Sequence, residues 1–330
     1  MVSNLINPSL PHGSQKVWYL KLTDPVSQEA FWLNFRLLSS KNGFKKIAEI
    51  LAIFFRKTST GEVQKIPFKQ SFDLGEWSQN DSTLHIHGCE LSPNQTRGNL
   101  QSKGSSVEWD LKFLIPQTHS FYFIPEILSR TGLIRHSIVT EQEELLVSGS
   151  TRVNQETIHW HEAFGMTGHL FGSSMGHSWV WGHCNTFTNE RGTHEKLIFE
   201  GLTGKPKLGL FSTPALSSFY FFYQNQPYLF NTLRDSVFLK SSHSLNEWKF
   251  QADRRDLSFR GLVRAEHKDF IGLTYENTDG SILYDSSSAL SEMKVWVYRK
   301  GKLESTFLAH GSASFKNVSP IKNPYVPLLI

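Results

Sequence analysis

Histidine and tryptophan concentrate in one stretch of the chain: six of the fourteen histidines and three of the nine tryptophans fall between Ile158 and His194. Imidazole exchanges protons near neutral pH, and an indole face stabilises a cation. At the centre runs His177-Ser178-Trp179-Val180-Trp181-Gly182-His183-Cys184-Asn185. As a β-strand, whose side chains alternate between faces, it puts His177, Trp179, Trp181, His183 and Asn185 on one side. Ser178, Val180, Gly182, Cys184 and Thr186 fall on the other. A strand serving only as core carries Val, Ile and Leu on its buried face, so a row of indoles and imidazoles reads as a pocket wall.

Other chemistries leave weaker marks. His159-Trp160-His161 and His85-Ile86-His87 each put two imidazoles on one strand face, and either pair with a third ligand could hold zinc. No further ligand stands at a diagnostic spacing, so no metal is expected. Gly172-Ser173-Ser174-Met175-Gly176 fits the Gly-x-Ser-x-Gly elbow of serine hydrolases with Ser174 as nucleophile. That elbow needs a strand before it and a helix after it, whereas a glycine-rich turn precedes this one and a strand follows. No Gly-x-Gly-x-x-Gly or phosphate loop is present, which argues against a nucleotide cofactor.

The elements that must position these residues read as short strands. Val107-Glu108-Trp109-Asp110-Leu111-Lys112-Phe113 alternates apolar and charged residues, as a strand with one wet face does. Val17–Leu22, Glu144–Ser148, Leu197–Leu202, Phe219–Tyr223, Val263–His267, Met293–Tyr298 and Ser312–Val318 are further candidates. Asn42-Gly43, Thr60-Gly61, Asp279-Gly280 and Lys300-Gly301 suit hairpin turns. Ser27–Leu38 and Gly43–Arg56 are ambiguous between helix and strand. With 330 residues, 39% hydrophobic and 13% aromatic, the chain fits two all-β domains of barrel or sandwich type. Ser148-Gly149-Ser150 and Asn154 interrupt the pattern and place the division at 1–152 and 153–330.

The formal charge of +4 is spread along the chain, without the basic stripe that nucleic-acid binding requires. Cys89 and Cys184 are too few for a disulfide framework and read as buried thiols in a reducing compartment. Neither a secretory leader nor an apolar run of membrane-spanning length is visible. A cytoplasmic protein is expected.

Gly165-Met166-Thr167-Gly168-His169-Leu170-Phe171-Gly172, followed by His177 and Trp179-Val180-Trp181-Gly182-His183-Cys184-Asn185, resembles the superfamily of tocopherol cyclases, carotenoid hydratases and AttH-like proteins. Tyr284-Asp285-Ser286, leading into Met293-Lys294-Val295-Trp296-Val297-Tyr298, is similar to the cyclase pattern of Asp-Ser before an apolar strand. In the first half only Trp18-Tyr19 and Ala30-Phe31-Trp32 fit. The resemblance implies tandem lipocalin-like antiparallel β-barrels and cofactor-free, acid-catalysed cyclisation, isomerisation or hydration of an apolar substrate. The chain departs from the family pattern at Leu170-Phe171-Gly172, where Asn-Trp-Gly is usual. An amide that could orient a substrate is therefore replaced by an aliphatic side chain.

Protonating an alkene needs a positioned Brønsted acid in a dry pocket and aromatic faces for the resulting cation. His169, Asp285 and Glu162 are the acid candidates, with His169 expected on a tight turn at a barrel mouth. Asp285 has an alternative as a simple turn residue. Trp179, Trp181, His177, His183, Asn185, Phe171 and Tyr275 are candidates for contacting substrate in a pocket of the second barrel. The expected partner is a hydrophobic isoprenoid-like or lipid-like molecule, with peripheral membrane contact left open for its exchange. The alternative on the same fold is a non-catalytic lipid carrier or interaction protein.

Overall fold

The computed structural model describes residues 10–80, 82–102, 104–116, 119–124, 136–173, 176–205, 207–208, 211–212, 215–232 and 234–330. Apart from three short 3-10 turns, its regular elements are strands. The first set is β1 (Ser14–Asp24), β2 (Glu29–Ser39), β3 (Lys46–Lys57), β4 (Val63–Asp73), β5 (Trp77–Asn80) and β6 (Thr83–Ile86). It continues with β7 (Cys89–Leu91), β8 (Gln95–Ser102), β9 (Ser105–Leu114), β10 (Phe121–Tyr122), β11 (His136–Val153) and β12 (Glu156–Gly172). These twelve form one antiparallel sheet in the order β4-β3-β2-β1-β12-β11-β9-β8-β7-β6-β5, with β10 on β11. The Gln101 amide of β8 reaches the Gln70 side chain of β4 at 3.3 Å, which draws the sheet round towards closure.

The second sheet comprises β13 (Ser178–Cys184), β14 (Leu197–Lys205), β17 (Leu216–Tyr223), β18 (Gln226–Phe230), β19 (Leu239–His243) and β20 (Glu247–Arg254). It adds β21 (Leu257–Arg264), β22 (Ile271–Glu276), β23 (Ile282–Arg299) and β24 (Lys302–Ser319). Its order is β18-β17-β14-β13-β24-β23-β21-β20-β19, with β22 on β23. A small ribbon, β15 (Lys207–Leu208) with β16 (Phe211–Ser212), stands apart. Among the described residues no helix is long and apolar enough to cross a membrane.

The all-β reading holds, and both ambiguous segments resolve as strands, β2 and β3. Their apolar residues run continuously because both faces are covered. On β2, Phe31, Leu33 and Phe35 point into the first barrel, while Trp32 joins the layer between the two sheets. The turn glycines behave as expected; Gly43 and Gly301 adopt φ of 75° and 77°, the left-handed conformation open to a residue without a Cβ. Val263–His267 overshoots, since β21 ends at Arg264 and His267 begins a 3-10 turn.

Sheet membership changes between Gly172 and Ser178, whereas the expected division at 152/153 falls at the tip of the β11–β12 hairpin, where Val153 pairs with Glu156. β12 belongs with the first sheet because Ile158, Trp160 and Ala163 bury in its core. The second barrel is filled by its own side chains: Phe199, Phe219, Phe221, Phe250, Phe259 and Trp248 form one core cluster. Phe199 and Phe250 stack at 4.3 Å. The Phe250 ring lies directly on Gly261, where a Cβ would come within 1.9 Å of it.

Candidate functional site

The outer faces of the two sheets pack against each other, and a cavity of about 180 Å³ lies between them. Alternation along each strand decides its walls. On β1, Leu20 and Leu22 turn into the first barrel, while Val17 and Tyr19 turn towards the cavity. Trp32, Asn34 and Arg36 face it from β2, and Glu49 and Leu51 from β3. Opposite them stand Trp179 and Trp181 of β13, Leu202 and Gly204 of β14, Tyr275 of β22 and Lys316 of β24. On β13 the other face supplies Val180 and Cys184 to the second core, as the sequence alternation requires.

Three rings form the centre of the wall. Trp32 meets Trp181 edge-on at 5.5 Å, and Tyr19 stacks beside Trp32 at 6.2 Å. The Trp32 indole is held by an N–H donated to Asn34 Oδ1 at 2.7 Å, two residues along the same face. Such edge-on and offset pairs are the geometries that the aromatic quadrupole favours.

A charged cluster closes one side. Lys316 Nζ lies 3.1 Å from Asp285 Oδ2, and both side chains are buried. The ammonium also sits 4.1 Å above the Trp32 ring, a cation–π contact worth about 0.5–2 kcal/mol. Asp285 accepts from Ser287 at 2.7 Å, and the Tyr275 hydroxyl lies close to the same carboxylate. Burial first, then the Asp285 charge, raises the Tyr275 hydroxyl well above its usual range. Arg36, 3.6 Å from Glu49, completes the cluster. Asp285 is therefore an ion-paired strand residue and not a turn residue. The Lys316 ammonium at hydrogen-bond distance fixes the Asp285 carboxylate in place.

The carboxyl suited to giving a proton is Glu200, which the sequence reading passed over. Glu200 is fully buried on β14, cross-strand from His183. It accepts from Trp181 Nε1 at 2.9 Å and from Thr140 Oγ1 at 2.7 Å. Burial first, then the Glu200 charge, raises the Tyr19 hydroxyl of the cavity wall well above its usual range. Desolvation outweighs these donors and the Lys21 charge, so Glu200 is pushed up to about 7. Hydrogen bonds thus join a carboxyl that is partly protonated at neutral pH to Trp181 of the cavity wall and to Thr140 of β11. The only hint in the sequence was a glutamate inside the otherwise apolar Leu197–Leu202 strand.

The remaining expected residues divide. Trp179, Trp181 and Tyr275 line the cavity. His183 is buried behind it, bonded to Lys21 Nζ at 3.0 Å, and desolvation holds it well below the usual imidazole range. Asn185 donates to the Gly165 carbonyl at 3.0 Å and ties the sheets together. His177 is exposed. Glu162 is also exposed, at a φ of 54°, and stands apart from the cavity.

His169 occupies a strand and not a tight turn: it pairs with Trp18 across β1–β12 and stacks on that ring at 5.1 Å. The glycines around it serve packing. Tyr19 crosses Gly168 so closely that a Cβ there would lie 2.3 Å from the ring and hydroxyl. Burial, then Lys16, lowers His169 to about 4, so it is neutral at physiological pH. Phe171 shares that face beneath Lys16 Nζ. Leu170, in the family's asparagine position, does line the cavity, opposite Val17.

For the zinc reading, His159 and His161 are both exposed on β12, and His87 sits in a turn beside Glu76. No three His, Cys, Asp or Glu side chains among the described residues gather to hold a metal. Both cysteines are free and buried. Ser174, of the elbow motif, lies outside the described residues.

The fold is that of known tandem β-barrel proteins. An AttH protein (NE1406) of Nitrosomonas europaea superposes with a TM-score of 0.55 at 10% identity, over 95% of this chain and 93% of that one. CghA, solved with Sch210972, gives 0.54 at 10% identity over 93% and 88%. Kievitone hydratase of Nectria haematococca gives 0.51 at 10% identity over 92% and 88%. The resemblance read from the sequence therefore holds at the level of the fold. No family model and no curated protein matches the sequence.

Proposed function

We propose that the protein binds a hydrophobic, isoprenoid-like or lipid-like molecule in the cavity between its sheets and transforms it by cofactor-free acid catalysis. The observation that carries this reading is a cavity walled by Tyr19, Trp32, Trp179 and Trp181 and hydrogen-bonded through Trp181 to a partly protonated carboxyl. Transfer of the Glu200 proton to a substrate alkene, with the Thr140 hydroxyl turned to accept it and to release its own, would leave a cation facing the indoles. Water or an internal nucleophile then captures it, giving hydration or ring closure, and loss of a proton gives isomerisation. A hydratase on the same fold supports this class of chemistry. The pocket differs from the expected one in place: it lies between the barrels, because the second barrel is packed solid with phenylalanine.

The carrier alternative rests on Leu170, which puts an aliphatic side chain where the family pattern has an amide. Intrinsic tryptophan fluorescence during titration with prenyl alcohols and fatty acids tests the binding step. Quenching that is saturable in wild type and weakened about tenfold by Leu51→Trp, which fills the cavity, is expected. No response to any probe removes the reading. Turnover of a captured ligand that Glu200→Gln abolishes while binding persists identifies a catalyst; binding without turnover in wild type identifies a carrier.

A further inference from the structure

Exposed apolar side chains at the ends of the first barrel differ in their surroundings. Phe44 is 92% exposed at the β2–β3 turn, and Val26 is 91% exposed at the β1–β2 turn, at opposite ends of β2. Val26 sits between Asp24 and Glu29. Phe44 sits in Lys41-Asn42-Gly43-Phe44-Lys45-Lys46, a turn without an acid.

That turn is anchored to the segment leading to the cavity. The Lys41 amide donates to the Thr278 carbonyl at 2.7 Å, and the Thr278 hydroxyl donates to the Ser173 carbonyl. Ser173 begins the crossover that brings Gly176 and Ser178 into the cavity lining. The lining also includes Lys205 and Leu216, which are exposed and mark its mouth. Lys41 and Lys45 are balanced by Asp279 and Glu276. Lys46 and Lys205 enter no ion pair among the described residues. One aromatic ring projecting beside the Lys46 ammonium is what an anionic bilayer surface accepts: the ring enters the acyl boundary while the ammonium meets headgroups. The choice of a bilayer over a protein partner follows from the unbalanced Lys46 beside the ring and from the hydrogen-bonded route that ties this turn to Gly176 and Ser178 of the cavity lining, which suits uptake of an apolar molecule from lipid.

We propose that the β2–β3 turn is a membrane-docking element, with Phe44 inserted and Lys46 on anionic headgroups, holding the cavity at the bilayer. The docking depends on surface residues alone and stands whether or not the cavity ligand is catalytically transformed. Co-sedimentation of the full chain with phosphatidylcholine vesicles, with and without phosphatidylserine, tests it. Expected are binding to the phosphatidylserine vesicles that falls with added salt, a loss of about tenfold in Phe44→Ser and a smaller loss in Lys46→Glu. Val26→Ser should bind as wild type, and none of these exposed sites should alter the fold. Absence of binding to anionic vesicles overturns the proposal, as does equal loss in Val26→Ser. A change in oligomeric state in Phe44→Ser with vesicle binding intact also overturns it and assigns the turn to a protein contact.

Discussion

The interior of the second barrel and the layer between the sheets are both buried, yet they are built from opposite materials. The barrel holds Phe199, Phe219, Phe221, Phe230, Phe250 and Phe259 around Trp248, whose indole N–H finds Ser241 at 2.8 Å. The layer between the sheets holds Lys21, Glu49, Glu143, His183, Glu200, Asp285 and Lys316, all buried. One interior is closed by dispersion between stacked and edge-on rings. The other must satisfy charges, and charges with fixed partners do not collapse onto one another as phenyl rings do. A cavity persists where polar groups hold the walls apart, and that is also where proton chemistry is available.

Three substitutions would break or sharpen this contrast. Phe250→Ala removes a ring stacked on Phe199 and seated on Gly261; a loss of about 3–5 kcal/mol is expected, read as a drop in the denaturant midpoint. A loss under about 1 kcal/mol would mean that the barrel repacks and is not solid. Asp285→Ala strands the Lys316 ammonium in a buried site and should cost about 3 kcal/mol. Adding Lys316→Met should recover most of that, as a double-mutant cycle would show.

The smallest effect is a change of slope with pH. Glu200 rises from an ordinary value of 4.5 to about 7, so between those values the folded state holds a proton that the unfolded state has released. Its contribution to stability is complete at low pH and is lost as pH rises through about 7. Relative to Glu200→Gln, wild type should lose stability over that interval when midpoints are compared at matched pH. His169 acts in the reverse sense: lowered to about 4, it adds stability as pH rises from there towards the usual imidazole value. The comparison of variants is therefore needed, since the raw profile of wild type sums both.

Much of this was legible beforehand. The alternation of Trp179, Val180, Trp181 and Cys184 survives intact, since period two is a property of the strand itself. What a strand pattern cannot give is the identity of the surface opposite. The indole face could as well have lined a barrel; only the pairing of β1–β3 against β13 and β22–β24 places it between barrels. β2 and β3 escaped a firm reading for the same reason: covering both faces erases the alternation. His169 was misplaced because glycines that admit the Tyr19 ring look, in sequence, like glycines that make a turn. Glu200 passed unnoticed because burial that raises a carboxyl arises from distant strands.

The chain passes from the first sheet to the second once, between Gly172 and Ser178. The cavity's walls therefore come from two bodies joined by a single tether, with Tyr19 and Trp32 on one and Trp179 and Trp181 on the other. A molecule lodged between them works as a rivet. Filling the site would raise the resistance of the halves to separation, and emptying it would cost the molecule a fastening that no covalent bond replaces.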